Sequence, residues 1–160
     1  MAPTNPLTQQ IIERVITVLE AITAGDNFFY TPYAVIKRYV HWREAKLTAT
    51  KPLYMVFRDS GGVITYIGEN NYCADYFINI KGYVQDPSDT VTKLERAIRD
   101  VCKAINDDSK GESAGALGAL TAAVTIEEPP ETDNGYLSLE GFGFFDQRIR
   151  IRIDGEFGEL

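Results

Sequence analysis

The sequence predicts an α+β domain: a two-layer fold with a mixed, mostly antiparallel sheet and two helices packed on one face. Three observations carry this. Two stretches, starting at Leu7 and at Val91, repeat apolar residues at helical spacing. Several stretches between and after them alternate apolar and polar residues with period two. The order is helix, several strands, helix, then one or two strands, and two amphipathic helices cover one face of such a sheet. The other face then meets water or another subunit.

Asn5 suits an N-cap and Pro6 the first helical position. The apolar stripe Leu7, Ile11, Ile12, Val15, Ile16, Val18, Leu19 and Ile22 predicts a helix ended at Gly25-Asp26-Asn27. Phe28 to Trp42 is aromatic and β-branched. Pro32 makes its start irregular, and a strand is expected near Ala34–His41. Lys51-Pro52 opens a strand over Leu53–Arg58. Asp59-Ser60-Gly61-Gly62 reads as a hairpin turn, with Val63–Ile67 returning as the partner. After a turn at Gly68-Glu69-Asn70-Asn71, Ala74–Val84 is the clearest strand. Tyr76, Ile78, Ile80, Gly82 and Val84 fall on one face, and Phe77, Asn79, Lys81 and Tyr83 on the other.

Asp86-Pro87-Ser88-Asp89 starts the second helix. Val91, Leu94, Ala97, Ile98, Val101 and Ile105 form its inner stripe. Lys93, Glu95, Arg96, Arg99, Asp100 and Lys103 form a solvated outer face with pairs Glu95–Arg99 and Arg96–Asp100. Residues 107–120 turn polar and then Ala/Gly-rich, which predicts a mobile loop. Ala122–Glu127 predicts a short strand. Glu128-Pro129-Pro130-Glu131 and Asp133-Asn134-Gly135 are turn chemistry. A final strand over Gly143–Ile153 is expected to end at Asp154-Gly155, before an acidic tail over 154–160. The expected organisation is a single domain over 1–160.

The chain of 160 residues is 44% hydrophobic, which argues against disorder throughout. No apolar run approaches a membrane span, and no signal peptide is visible at the N-terminus. The net charge of −7 is uneven. Residues 1–106 hold 12 Lys/Arg against 11 Asp/Glu, whereas 107–160 hold 4 against 12. An acidic chain binds DNA poorly, because phosphate contacts need cations that displace counterions. DNA can still pass nearby without being gripped.

No catalytic, cofactor or metal site is expected. His41 is the only histidine, so a Ser-His-Asp triad would rest on partners the sequence does not place. Cys73 and Cys102 form no Cys-x-x-Cys pair and read as small apolar residues. Gly111, Gly115 and Gly118 lack the strand–loop–helix frame and the Lys-Ser/Thr of a phosphate loop. Asp107, Asp108 and Glu112 do not follow the calcium-loop spacing.

Arg148, Arg150 and Arg152 alternate with Ile149, Ile151 and Ile153, which lines three guanidinium groups along one face. One reading is an exposed face protected by charge from edge-to-edge aggregation. The other is a row that meets the carboxylates of a neighbouring subunit or faces a channel, a role suited to the planar fork of arginine. Phe28, Phe29, Tyr30, Tyr33, Tyr39 and Trp42 crowd into fifteen residues, and interfaces favour such side chains. The candidate interface residues are thus Arg148, Arg150, Arg152, Tyr39 and Trp42. Asp59 and Gly62 of the expected turn, and Gly115 and Gly118 of the expected loop, join them.

Four segments carry a resemblance that spans nearly the whole chain. They are the helix Leu7–Ala24 leading into an aromatic strand, and the strands opened by Lys51-Pro52-Leu53-Tyr54-Met55-Val56-Phe57. They are also the block Tyr76 to Asp89 running on through Leu94 to Ile105, and the Thr132-Asp133-Asn134-Gly135 turn before a last alternating strand. This layout resembles the tail terminator, or tail completion, proteins of long-tailed bacteriophages. The resemblance implies a structural virion protein: a homohexameric ring at the head-proximal end of the tail, assembled in the host cytoplasm. Such a ring stops tube growth and joins the tail-tube protein to the head connector or stopper protein. Genome DNA passes through its lumen unbound. Alternatives are another phage neck or tail-tube component, or a small ligand-binding α+β domain.

Overall fold

The computed structural model describes residues 5–45, 47, 51–66, 71–109, 123–127, 131–133 and 141–156. In chain order these form α1 (Leu7–Glu20), β1 (Ala34–Ile36), β2 (Leu53–Tyr66), β3 (Asn71–Gln85), α2 (Thr90–Ser109), β4 (Ala123–Ile126), β5 (Glu131–Asp133) and β6 (Phe142–Glu156). The sheet runs β1-β2-β3-β6-β4, with β5 also paired to β6. Only the β1–β2 pair is parallel. This is the expected α+β class, with both helices packed against the sheet.

The helices form where their apolar stripes meet the sheet. Ile11, Ile12, Val15 and Leu19 are buried from the first helix, Ile22 from just beyond its end, and Leu94, Ala97, Val101, Ala104 and Ile105 from the second. They pack on Tyr54 and Val56 of β2, on Ala74, Ile78, Ile80 and Val84 of β3, and on Phe145, Ile149, Ile151 and Ile153 of β6. Each large apolar side chain so buried contributes about 1.5–3 kcal/mol relative to exposure.

Local details differ from the expectation. Pro6, not Asn5, occupies the first N-cap, and no side chain bonds there. Its carbonyl accepts the Gln9 and Gln10 amides, while Gln10 Nε2 donates to the Asn5 carbonyl. Gly25 has the expected left-handed φ of 99°, but four residues beyond a C-cap at Ala21. Asp89 caps α2 by accepting the Thr92 N–H. The helix runs to Ser109, so Asp107 and Asp108 are helical rather than part of a loop. Val91, expected inside, is exposed.

The Asp59–Gly62 segment is no hairpin turn. One strand runs from Leu53 to Tyr66, and both of its halves pair with β3, with a register shift between Arg58 and Gly62. The glycines serve a bulge that keeps two strand halves in one ladder. Glu131 and Asp133 likewise lie in β5, and Asp154 and Gly155 in β6, where turns were expected. The expected turn residues Gly68–Asn70 and the Ala/Gly-rich stretch from Lys110, with Gly115 and Gly118, lie outside the described residues.

The first strand is only three residues long. The chain after it crosses to the face of the sheet opposite the helices. There Val40 packs with Leu53, Met55 and Tyr83, flanked by Trp42, Ala45, Leu47, Phe57 and Phe144. The Val40 N–H contacts Met55 Sδ at 3.2 Å. The second face is therefore covered at one end by this crossover, and is not left wholly to solvent or a partner.

A candidate interface on the second face of the sheet

Register sets this face. In β6, Ile149, Ile151 and Ile153 turn to the helices, so Phe144, Asp146, Arg148, Arg150 and Arg152 turn away. In β3 the matching positions are Asp75, Phe77, Asn79, Lys81 and Tyr83. They stand opposite Arg152, Arg150, Arg148, Asp146 and Phe144 respectively. The expected alternation in both strands holds.

At the crossover end the face is aromatic. Tyr83 and Phe144 rings lie 5.4 Å apart, and Trp42 is 5.4 Å from Phe142 with Arg43 over its ring. The Lys81–Asp146 ion pair at 2.6 Å sits beside this patch, its ammonium 5.5 Å from the Phe144 ring. Tyr39 is 52% exposed and its hydroxyl lies 3.4 Å from that of Tyr83. Burial, with this contact second, pushes the Tyr83 phenol well above the ordinary range.

At the other end stand the arginines. Arg148 lies 3.7 Å over the Phe77 ring, and its Nε is 3.5 Å from Asp59 and 3.7 Å from Glu127. Arg152 Nε meets Asp75 at 3.3 Å. Arg150 is exposed and has no carboxylate partner among the described residues. Two of the three arginines are thus paired within the chain, and among the described residues only Arg150 has no carboxylate beside it. Its cross-strand neighbours are Phe77 and the exposed Thr125.

Of the candidate residues, Arg148 and Asp59 meet here, Arg150 and Arg152 share their face, and Tyr39 and Trp42 join its other end. Gly62 is exposed at the bulge, where an added Cβ would lie 3.0 Å from the Asp75 carbonyl. Phe77, Asp75 and Lys81 were missed as partners. Their alternation was legible, but the register that brings Asp75 and Phe77 to the arginines and Lys81 to Asp146 was not.

Two other charged positions also differ from expectation. Lys93 and Asp100, expected on a solvated helix face, are 4% and 0% exposed. Asp100 Oδ2 accepts the N–H groups of Phe29 and Tyr30, at 2.8 and 2.9 Å. Lys93 Nζ donates to the Gln85 carbonyl at 3.0 Å, below the Tyr30 ring. Burial raises the Asp100 pKa and lowers that of Lys93. A cleft of about 470 Å³ opens beside Lys93, lined also by Tyr30, Thr31, Lys51 and Asp86. Its buried amine is already bonded, and Asp86 is held by Ser88 and the Asp89 N–H. Among the described residues no three His, Cys, Asp or Glu side chains gather as metal ligands. His41 is exposed, its Nδ1 accepting the Arg43 N–H.

No protein-family model and no curated protein matches the chain. Among solved structures it is similar to a chain described as "Virion of native gene transfer agent (GTA) particle". The two share 15% identity at a TM-score of 0.48, over 94% of this chain and 92% of that one.

Proposed function

We propose that this chain is a structural protein of a phage-like virion, acting as a tail terminator: a ring, expected to be a hexamer, on the head-proximal end of the tail tube. In this reading the ring stops tube growth and joins the tube to the head connector or stopper. DNA passes through without specific binding, and the chain catalyses nothing. The observation that carries the proposal is the half-clothed sheet. Helices cover one face, and the crossover covers one end of the other. The remaining end presents Arg150, unpaired among the described residues, and exposed Arg152 beside exposed Ala123 and Thr125. Phe29, Tyr33 and Tyr39, at 45%, 48% and 52% exposure, add surface that a lone molecule gains nothing by displaying. The four segments that resemble tail terminators supply the specific role.

The test is electron microscopy and mass measurement on the purified full chain, alone and with tail tubes. A single closed ring, or a cap on tube ends, is expected. Arg150→Glu should weaken it while leaving the fold intact. Monomers under both conditions would remove the proposal. Unlimited polymers would favour the tube-component alternative. A melting temperature raised by a nucleotide or metal would favour the ligand-binding one, through the linkage of binding to folding.

A further inference from the structure

Among the described residues the sheet has two open edges, and we propose that they join between copies: β4 of one copy adds as an antiparallel strand to Val63–Tyr66 of β2 in the next. This deepens the reading above and rests on its self-assembly.

The first edge is on β2. The strand β1 pairs only with Leu53–Met55. From Val56 onward, no strand lies on the outer side of β2 among the described residues. The bulge divides this edge. On its near side Arg58 and Asp59 place charges, which discourage strand addition. Beyond it, Val63-Ile64-Thr65-Tyr66 is uncharged and high in β propensity. The second edge is β4 itself. Ala123-Val124-Thr125-Ile126 pairs with β6 on its inner side, and no strand lies beyond it among the described residues. It too is uncharged, and three of its four residues are β-branched. Monomers avoid such edges, whereas strand addition uses them.

The uncharged stretch Val63–Tyr66 of the longer β2 edge is as long as β4, four residues, and the two match in direction. Because β2–β3, β3–β6 and β6–β4 are all antiparallel, β4 runs opposite to β2. A copy set alongside in the same orientation therefore meets it antiparallel. Val63, Asp75, Arg152 and Ala123 form one row across the sheet. The free segments extend from that row in opposite directions along the strands, so joined copies are staggered, as a closed sheet requires. Each copy uses two different edges, a heterologous contact that closes into a ring or runs on as a filament.

The test uses Thr65→Cys and Thr125→Cys, in a Cys73→Ser, Cys102→Ser background because Thr65 stands opposite Cys73. Within one copy two strands separate positions 65 and 125, so a short bis-maleimide links them only between copies. The double variant should give a series of covalent multimers, with the 65–125 link found by peptide mass spectrometry. Each single variant should stop at dimers or below. Thr65→Lys should reduce the assembly to monomers with an unchanged circular dichroism spectrum. If assemblies form without the 65–125 link, or survive Thr65→Lys, the edge pairing is overturned while the ring stands. If no assembly forms at all, both readings fall.

Discussion

Gly82 and Phe145 stand opposite each other across β3 and β6, and the Phe145 ring fills the space a side chain at Gly82 would need. A Cβ on Gly82 would lie 2.1 Å from Phe145 Cε1. The same ring meets Tyr54 edge-on at 6.1 Å, so it is packed on more than one side. Gly82→Ala should therefore destabilise the fold by about 1–3 kcal/mol through overpacking. Urea unfolding measures this. Adding Phe145→Leu to Gly82→Ala should cost less than the two single losses combined, because the variants share one contact.

Asp100 fastens the Phe29–Tyr30 loop to α2 through two backbone N–H groups. Asp100→Ala leaves those donors without their acceptor and should cost about 1–3 kcal/mol. The pH dependence has a definite sign. Burial, opposed by the two N–H groups and by Arg99, raises the folded-state pKa. Folding then favours the protonated acid. The increment is complete below the ordinary aspartate range and is lost as pH rises through the raised value. Against Asp100→Asn, the native chain should gain relative stability on acidification across that window. A series of urea unfolding curves from neutral to acid pH reads it.

Arg148 and Arg150 are two residues apart on one face, yet they differ in what they touch. Arg148 stacks on Phe77 and meets Asp59 and Glu127, but it is partly exposed, so solvent screening limits its worth. Arg148→Ala should cost about 1 kcal/mol, most of it from the lost ring contact. Arg150→Ala should change monomer stability by less than about 0.5 kcal/mol. Any effect of Arg150 substitutions on assembly would then be separable from folding by comparing melting temperature with oligomer mass.

Cys73 lies on the arginine face beside Asp154. A hydrogen bond to that carboxylate, followed by desolvation, raises the thiol pKa. The thiolate is the reactive form, so Cys73 should react slowly with maleimides at neutral pH. Asp154→Asn should accelerate labelling several-fold, as a time course with mass detection would show.

The helices, the long central strand and the alternation of the last strand were legible because their patterns are periodic and continuous. Lys93 and Asp100 were not, because helical spacing says which residues share a face but not what lies against it. The loop from Phe28 to Thr31 packs on a flank that the sequence marks as charged. Asp59-Ser60-Gly61-Gly62 misled for a related reason. Turns and bulges draw on the same small and acidic residues, and only pairing of both halves with β3 separates them. The three-residue β1 was overestimated because aromatic and β-branched residues suit packing on a sheet as well as pairing within one. At the candidate interface the arginines were visible, but their partners Asp75, Phe77 and Asp59 come from other strands, and register is a tertiary property.

The crossover after β1 makes the molecule polar along its strands. Among the described residues one end is three layers deep and greasy, and the opposite end is two layers deep and ionic. Units repeated side by side in a common orientation would pass this polarity to the whole, giving an annulus with chemically unlike rims. Each rim could then recognise a different neighbour without any further sequence being devoted to telling up from down.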